Sequence, residues 1–108
     1  MTIQIRRANS EDAPVLTEIA QAAKSFRGFP DDWADYWKED LFVTPDFINR
    51  NEVYVAMCGD EVAGFSAISR KDDRVELEHL WVKPGHIDSG AGRELFMHAM
   101  ERACQLNA

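Results

Sequence analysis

Two apolar-rich runs, Val53–Cys58 and Glu61–Ser69, are separated only by Gly59-Asp60. Such a dipeptide between two strand-like runs closes a tight hairpin. The two runs must therefore lie antiparallel and side by side. A polar turn at Lys71-Asp72-Asp73 leads into a third strand, Arg74–Val82, which Pro84-Gly85 ends. Gly64, inside the second run, marks a bulge or a close approach of another backbone. Near the N-terminus, Ile3–Arg6 predicts a further short strand, with Ile3 and Ile5 on one face.

Helices flank these strands. Asn9 and Asp12 form a variant of the capping box, and Glu11 and Asp12 suit the positive end of a helix. Pro14 is tolerated near the first turn. Val15, Leu16, Ile19, Ala20 and Ala23 then fall on one stripe. Gly28 and Pro30 interrupt the chain. Asp31–Asp40 predicts a short helix with Trp33, Tyr36 and Trp37 on one side, and Pro45–Asn49 opens another helical turn. A last helix starts near Gly90, with the stripe Leu95, Phe96, Ala99, Met100, Ala103 and Leu106. Local hairpins beside segregated helices predict an α+β fold, an α/β sandwich with a mostly antiparallel sheet.

The 108 residues suit one domain. Nineteen acidic against twelve basic side chains leave a net charge of −7. That balance argues against nucleic acid and against an anionic membrane surface as partners. The longest fully apolar run, Val53–Cys58, is far shorter than the roughly 20 residues of a membrane helix. The first seven residues lack the apolar core of a signal peptide. Cys58 and Cys104 are too few and too unpatterned for a disulfide scaffold, so both are read as reduced thiols of a cytoplasmic protein. No Cys or His pair has metal-ligand spacing, and no metal is expected.

Residues 77–96 read LEHLWVKPGHIDSGAGRELF. A strand ends, a glycine-bearing loop follows, and an amphipathic helix begins. Such a junction aims free backbone N–H groups and a helix dipole at one spot, which favours a phosphate. Gly90 and Gly92 lack a Cβ and let a bulky anion approach. Three phosphate or nucleophile motifs fail here. A Walker loop needs Gly-Lys-Ser/Thr, but Ala91-Gly92 follows Gly90. A dinucleotide fingerprint that starts at Gly90 and Gly92 meets Leu95 at its last position. Ser89 lacks the two flanking glycines of a hydrolase elbow.

The junction resembles the acyl-CoA loop of the GCN5-related N-acetyltransferases (GNAT). Val82-Lys83-Pro84 matches their strand end, and Gly90-Ala91-Gly92 matches the close of their loop. The opening IQIRRANSEDAPVL is similar to their first strand and capped helix. The resemblance spans Met1–Ala108. It implies a single GNAT-like domain over 1–108, shortened at its C-terminus, because the family's fold continues with further strands.

It also implies acetyl-CoA as co-substrate. Ile87, Asp88, Ser89, Gly90, Ala91 and Gly92 would hold the pyrophosphate, with Arg93 beside them. Leu80, Trp81 and Val82 would pair with the pantetheine arm. A primary amine, on a small molecule or a protein, would attack the thioester directly, and backbone N–H groups would polarise its carbonyl. The base would be a carboxylate of the strand, Glu76 or Glu78. Either would need a pKa raised by partial burial. The family's usual general acid, often a Tyr, lies in the part beyond this chain. Two residues depart from the pattern. Ile87 stands where Gln or Arg is usual. Asp88 sits inside the loop, where a carboxylate ~4 Å from a phosphate costs on the order of 1–4 kcal/mol unless it points away.

Several residues admit a plainer reading. Glu76 and Glu78 share a strand face, and either serve as base or form a solvated face paired with Arg70, Lys71 or Arg74. His79 falls on the opposite face unless a bulge resets the register, and reads as a core or rim histidine. The acidic run Asp31, Asp32, Asp35, Glu39 and Asp40 either draws in a cationic amine or is a solvated helix face. Trp33, Tyr36 and Trp37 read as core aromatics, in a region that borders the acceptor site of the resembled family. Lys83 and Arg93 either steer phosphates or are surface charge. For the whole chain, the alternative to an enzyme is a non-catalytic module that binds CoA or a protein, or an inactive fragment. An uncovered fourth strand also predicts pairing with a second copy.

Overall fold

The computed structural model describes residues 2–26, 42–72 and 74–107. The helix expected at Asp31–Asp40, with its acidic run and its aromatics, lies outside the described residues. Strand β1 (Ile3–Arg7) leads through a 3-10 turn (Ser10–Asp12) into helix α1 (Ala13–Phe26). Helix α2 (Pro45–Arg50) precedes strands β2 (Glu52–Cys58), β3 (Glu61–Lys71) and β4 (Arg74–Val82). A second 3-10 turn (Pro84–Ser89) leads into helix α3 (Ala91–Asn107).

The capping box forms as the sequence predicts. The Asn9 side chain accepts from a helical N–H, while Asp12 accepts from the Asn9 N–H at 2.9 Å. Arg6 also forks onto Asp12 at 2.9 and 3.0 Å, which ties the turn to β1. At α2, Thr44 caps the Phe47 N–H at 3.0 Å and Pro45 starts the helix, where its missing N–H costs nothing.

The four described strands form an antiparallel sheet in the order β1-β2-β3-β4. One face is covered by α1 and α2. There Leu16, Ile19, Val43 and Ile48 pack on Val53, Val55 and Phe65, all nearly inaccessible. The other face carries α3, whose Ala91 and Leu95 pack on Ala56 and Ala63, flanked by Ile5, Leu80 and Val82. Arg102 fastens α3 to β2 through a two-pronged contact with Glu52 at 2.7 and 3.2 Å.

Both readings of Gly64 hold. The register of β2 and β3 slips beside it, pairing Ala56 with Gly64 but Met57 with Val62. A Cβ at Gly64 would lie 2.5 Å from the Trp81 carbonyl oxygen, so β3 and β4 could not keep their spacing around a larger residue. The α3 stripe is narrower than expected. Leu95 and Ala99 are buried, but Phe96 and Met100 are 48% and 53% exposed. They sit beside the buried line of the helix, and among the described residues the sheet ends at β4.

Candidate active site

The chain turns away from β4 at Lys83, whose N–H still bonds the Ala63 carbonyl at 2.7 Å. The 3-10 turn then brings the chain to Gly90, which has φ +91° and ψ 0°. That left-handed conformation favours glycine. Helix α3 starts one residue later, and its first regular bond runs from the Glu94 N–H to the Gly90 carbonyl. The N–H groups of Gly92 and Arg93 belong to the opening turn and have no acceptor within the helix. The Ala91 N–H is occupied by Ser89 Oγ at 3.3 Å, and that hydroxyl donates to the His86 carbonyl at 2.6 Å. A Cβ at Gly92 would meet Val82 Cγ2 at 3.2 Å, so the helix start sits hard against the end of β4. The result is a shallow nest of N–H groups at the positive end of a 17-residue helix. Ile87, Asp88 and Arg93 are exposed around it.

The cations flanking the loop differ. The Lys83 ammonium is paired with Glu61, whose other carboxylate oxygen lies 3.2 Å from His86 Nε2. Those partners hold the Glu61 carboxyl below the usual carboxylate range, Lys83 more strongly than His86. Sequence reasoning missed Glu61. It lies 22 residues from Lys83, and only the closed hairpin brings them together.

Along β4, the bulge that the sequence left open for His79 is present. Ala67 pairs with His79, but Ile68 pairs with Leu77, so Glu78 is the extra residue of a β-bulge. The bulge resets the alternation. His79 therefore does not lie opposite Glu78. Its ring packs edge-on to Phe47 at 5.6 Å and beside Phe65 at 6.1 Å, on the α1 side. Glu78 reaches Ser69 at 2.6 Å on that same side. The bulge thus gathers Glu76, Glu78 and His79 on one face. Leu80 and Val82 turn to the α3 side, and Trp81 to the α1 side.

The two glutamates are held differently. Glu76 is in an ion pair with Arg74 at 2.9 Å, the arrangement of a solvated strand face. Glu78 is exposed and accepts a hydrogen bond from the Ser69 hydroxyl. The burial expected to tune a basic glutamate is therefore not provided at Glu78. His79 is held below the ordinary histidine range, mainly by burial, with Glu78 opposing and Lys24 adding to the effect. Its Nδ1 accepts from the Trp81 indole N–H at 3.0 Å, which places the neutral ring's proton on Nε2. Four residue steps of strand lead from Glu78 to Val82, a backbone span of roughly 13 Å.

Comparison with known proteins agrees with this geometry. The model of the acetyltransferase (GNAT) family matches residues 14–108. Streptothricin acetyltransferase of Streptomyces lavendulae is 34% identical over 99 residues, covering 90% of this chain and 51% of that protein. The uncharacterized N-acetyltransferase YvbK of Bacillus subtilis (strain 168) is 31% identical over 67 residues, covering 61% of this chain and 43% of its own length. The chain thus spans about half the length of the curated relatives it matches. The PaiA N-acetyltransferase of Thermoplasma acidophilum, solved with coenzyme A, superimposes with a TM-score of 0.85 at 20% identity. That match covers 97% of this chain and 74% of that structure. A sheet bulged at Glu78, an open nest at Gly90–Gly92 and a family match over residues 14–108 agree: the chain belongs to the GNAT acetyltransferase family.

Proposed function

We propose that the chain forms the cofactor-binding part of an acetyltransferase that moves the acetyl group of acetyl-CoA onto a primary amine. The observation that carries this reading is the junction of β4 and α3. A left-handed Gly90 and two free N–H groups of a helix start stand at the end of a strand whose outer edge has no neighbour among the described residues. The nest takes the diphosphate, and the pantetheine arm runs along Leu80–Val82 toward the bulge. The amine nitrogen attacks the thioester carbonyl carbon, the C–S bond breaks, and coenzyme A leaves as its thiolate. The proton lost by the amine passes to a base and is returned to the sulfur.

Glu78 is the better candidate for that base. Glu76 is committed to Arg74, and the His79 Nδ1 lone pair is committed to Trp81. Glu78 stands at the bulge, where the ladder is broken and peptide N–H groups are released to polarise a carbonyl. The acceptor is an amine on a small molecule or a protein.

A second reading, a module that binds coenzyme A without turnover, is favoured by exposed Asp88 and Ile87 in the loop. An amide-shift titration with acetyl-CoA tests the first requirement of both. Movement confined to Leu80–Val82 and Ile87–Gly92 supports the site. No movement at millimolar ligand overturns it. Release of free thiol in the presence of amines then separates enzyme from module.

A further inference from the structure

We propose that Glu61 is a positioning residue for the cofactor loop, acting as a clamp between the β2–β3 hairpin and the start of α3. The proposal rests on reading the Gly90–Gly92 nest as the diphosphate site. Glu61 opens β3 beside the hairpin turn. Its two carboxylate oxygens take separate partners on the loop, Lys83 Nζ with one and His86 Nε2 with the other.

From His86 the connection continues to the helix. The His86 N–H bonds the Lys83 carbonyl at 2.8 Å, which closes the turn. The His86 carbonyl accepts from Ser89 Oγ, and Ser89 Oγ accepts from the Ala91 N–H. Ala91 is the first residue of α3 and is fully buried. One carboxylate is therefore linked, bond by bond, to the helix start that presents the Gly92 and Arg93 N–H groups. A nest binds an anion only while its N–H groups converge, so fixing the loop's entry fixes the convergence.

The clamp carries a cost of its own. It places a negative charge near a diphosphate and occupies the Lys83 ammonium. If Glu61 acted only through charge, its removal would tighten cofactor binding. If it acts by position, its removal weakens binding. The two roles thus predict opposite signs.

The experiment compares the unmodified chain with Glu61→Ala and Glu61→Gln, titrated with acetyl-CoA and with acetyl-pantetheine, which lacks the diphosphate. Gln keeps an acceptor oxygen for the Lys83 ammonium and an N–H that can donate to His86 Nε2 when the neutral ring carries its proton on Nδ1, but no charge. Glu61→Ala is expected to weaken acetyl-CoA about fivefold or more, leave acetyl-pantetheine within about twofold, and shift the melting temperature little, as exposed ion pairs usually do. Glu61→Gln is expected to recover most of the acetyl-CoA affinity.

Equal or tighter acetyl-CoA binding by both variants, with the difference erased in about 0.5 M salt, overturns the proposal. So does equal weakening of both ligands. If Glu61→Ala fails to fold, Glu61→Thr, which suits a strand position, removes the same carboxylate, and its acetyl-CoA affinity decides by the same criterion. Failure of the unmodified chain to bind acetyl-CoA overturns the cofactor reading itself, and is seen before any variant is made.

Discussion

The Ser69 hydroxyl donates to Glu78 at 2.6 Å across a bulge in the last described hairpin. Alternation from Glu76, which pairs with Ser69, already sets Glu78 on that face, and the extra residue brings His79 there as well. The hydroxyl holds one carboxylate oxygen.

If Glu78 is the base, Glu78→Gln keeps the shape and removes the proton acceptor. The expected loss in kcat is about 10²–10³-fold near neutral pH, and it shrinks at high pH, where the amine is already deprotonated. Glu76→Gln, which removes the charge that pairs with Arg74, is expected to stay within about threefold, the scale of an exposed ion pair. Thiol release across a pH series checks both. Equal rates for Glu78→Gln and the unmodified enzyme at every pH would falsify the assignment.

Gly90 is tested separately from the chemistry. A side chain at φ +91° is disfavoured by roughly 1–2 kcal/mol, although no neighbour blocks the space a Cβ would fill. Gly90→Ala is therefore expected to fold. The residue should relax toward an ordinary conformation and turn the first N–H groups of α3 away. The KM for acetyl-CoA should rise about tenfold, equivalent to 1.4 kcal/mol, with kcat nearly unchanged. An unaltered KM would mean that the phosphates do not use this nest.

The contrast between Gly90 and Glu61 shows which kind of information a sequence carries. Gly90, the strand end at Val82 and the helix behind them are consecutive, so local conformational rules were enough to locate the junction. The hairpin at Gly59-Asp60 and the Asn9–Asp12 cap were legible for the same reason. The Glu61 clamp joins residues 22 apart, and the Glu52–Arg102 contact joins residues 50 apart. No local rule links them, because they meet only after the sheet has formed. The bulge at Glu78 is an intermediate case. Glu76, Glu78 and His79 could be named from sequence, but an insertion of one residue in the pairing leaves no mark in composition. The exposure of Phe96 and Met100 was also hidden. Their spacing is that of a core stripe, yet both stand about half exposed.

Thr17 holds the strand of chain leading into α2. Its hydroxyl accepts from the Val43 N–H at 2.9 Å and donates to the Val43 carbonyl at 3.1 Å, in a buried setting. One side chain thus satisfies both polar groups of one peptide position. Thr17→Val preserves the volume and leaves both groups unpaired. At about 1–3 kcal/mol for each stranded group, a loss of about 2–6 kcal/mol is expected. Thr17→Ser, which keeps the hydroxyl, should lose much less. Urea unfolding of the two variants gives the comparison, and similar losses would mean that packing of the methyl group matters more than the bonds.

The last prediction concerns pH. The Arg6 fork on Asp12, helped by the Asn9 N–H and opposed by partial burial, holds the Asp12 carboxyl below its ordinary value of 3.8. A carboxyl whose pKa is lower in the folded state binds fewer protons there than in the unfolded chain. Its contribution is then complete above the unfolded value and disappears as pH falls through the folded one. Arg6 is 40% exposed on its side chain, so water screens the pair. About 1 kcal/mol is therefore a reasonable size for the whole contribution. Asp12→Asn should lose about that much at pH 7 and at pH 5 alike, since both lie above the titration. The gap between the variant and the unmodified chain should narrow below pH ~4 and close once both carry a neutral side chain. Chemical denaturation at pH 7, 5 and 3 measures the gap directly. A difference that persisted unchanged at pH 3 would assign the role of Asp12 to neutral hydrogen bonding within the cap, with the Arg6 charge contributing little.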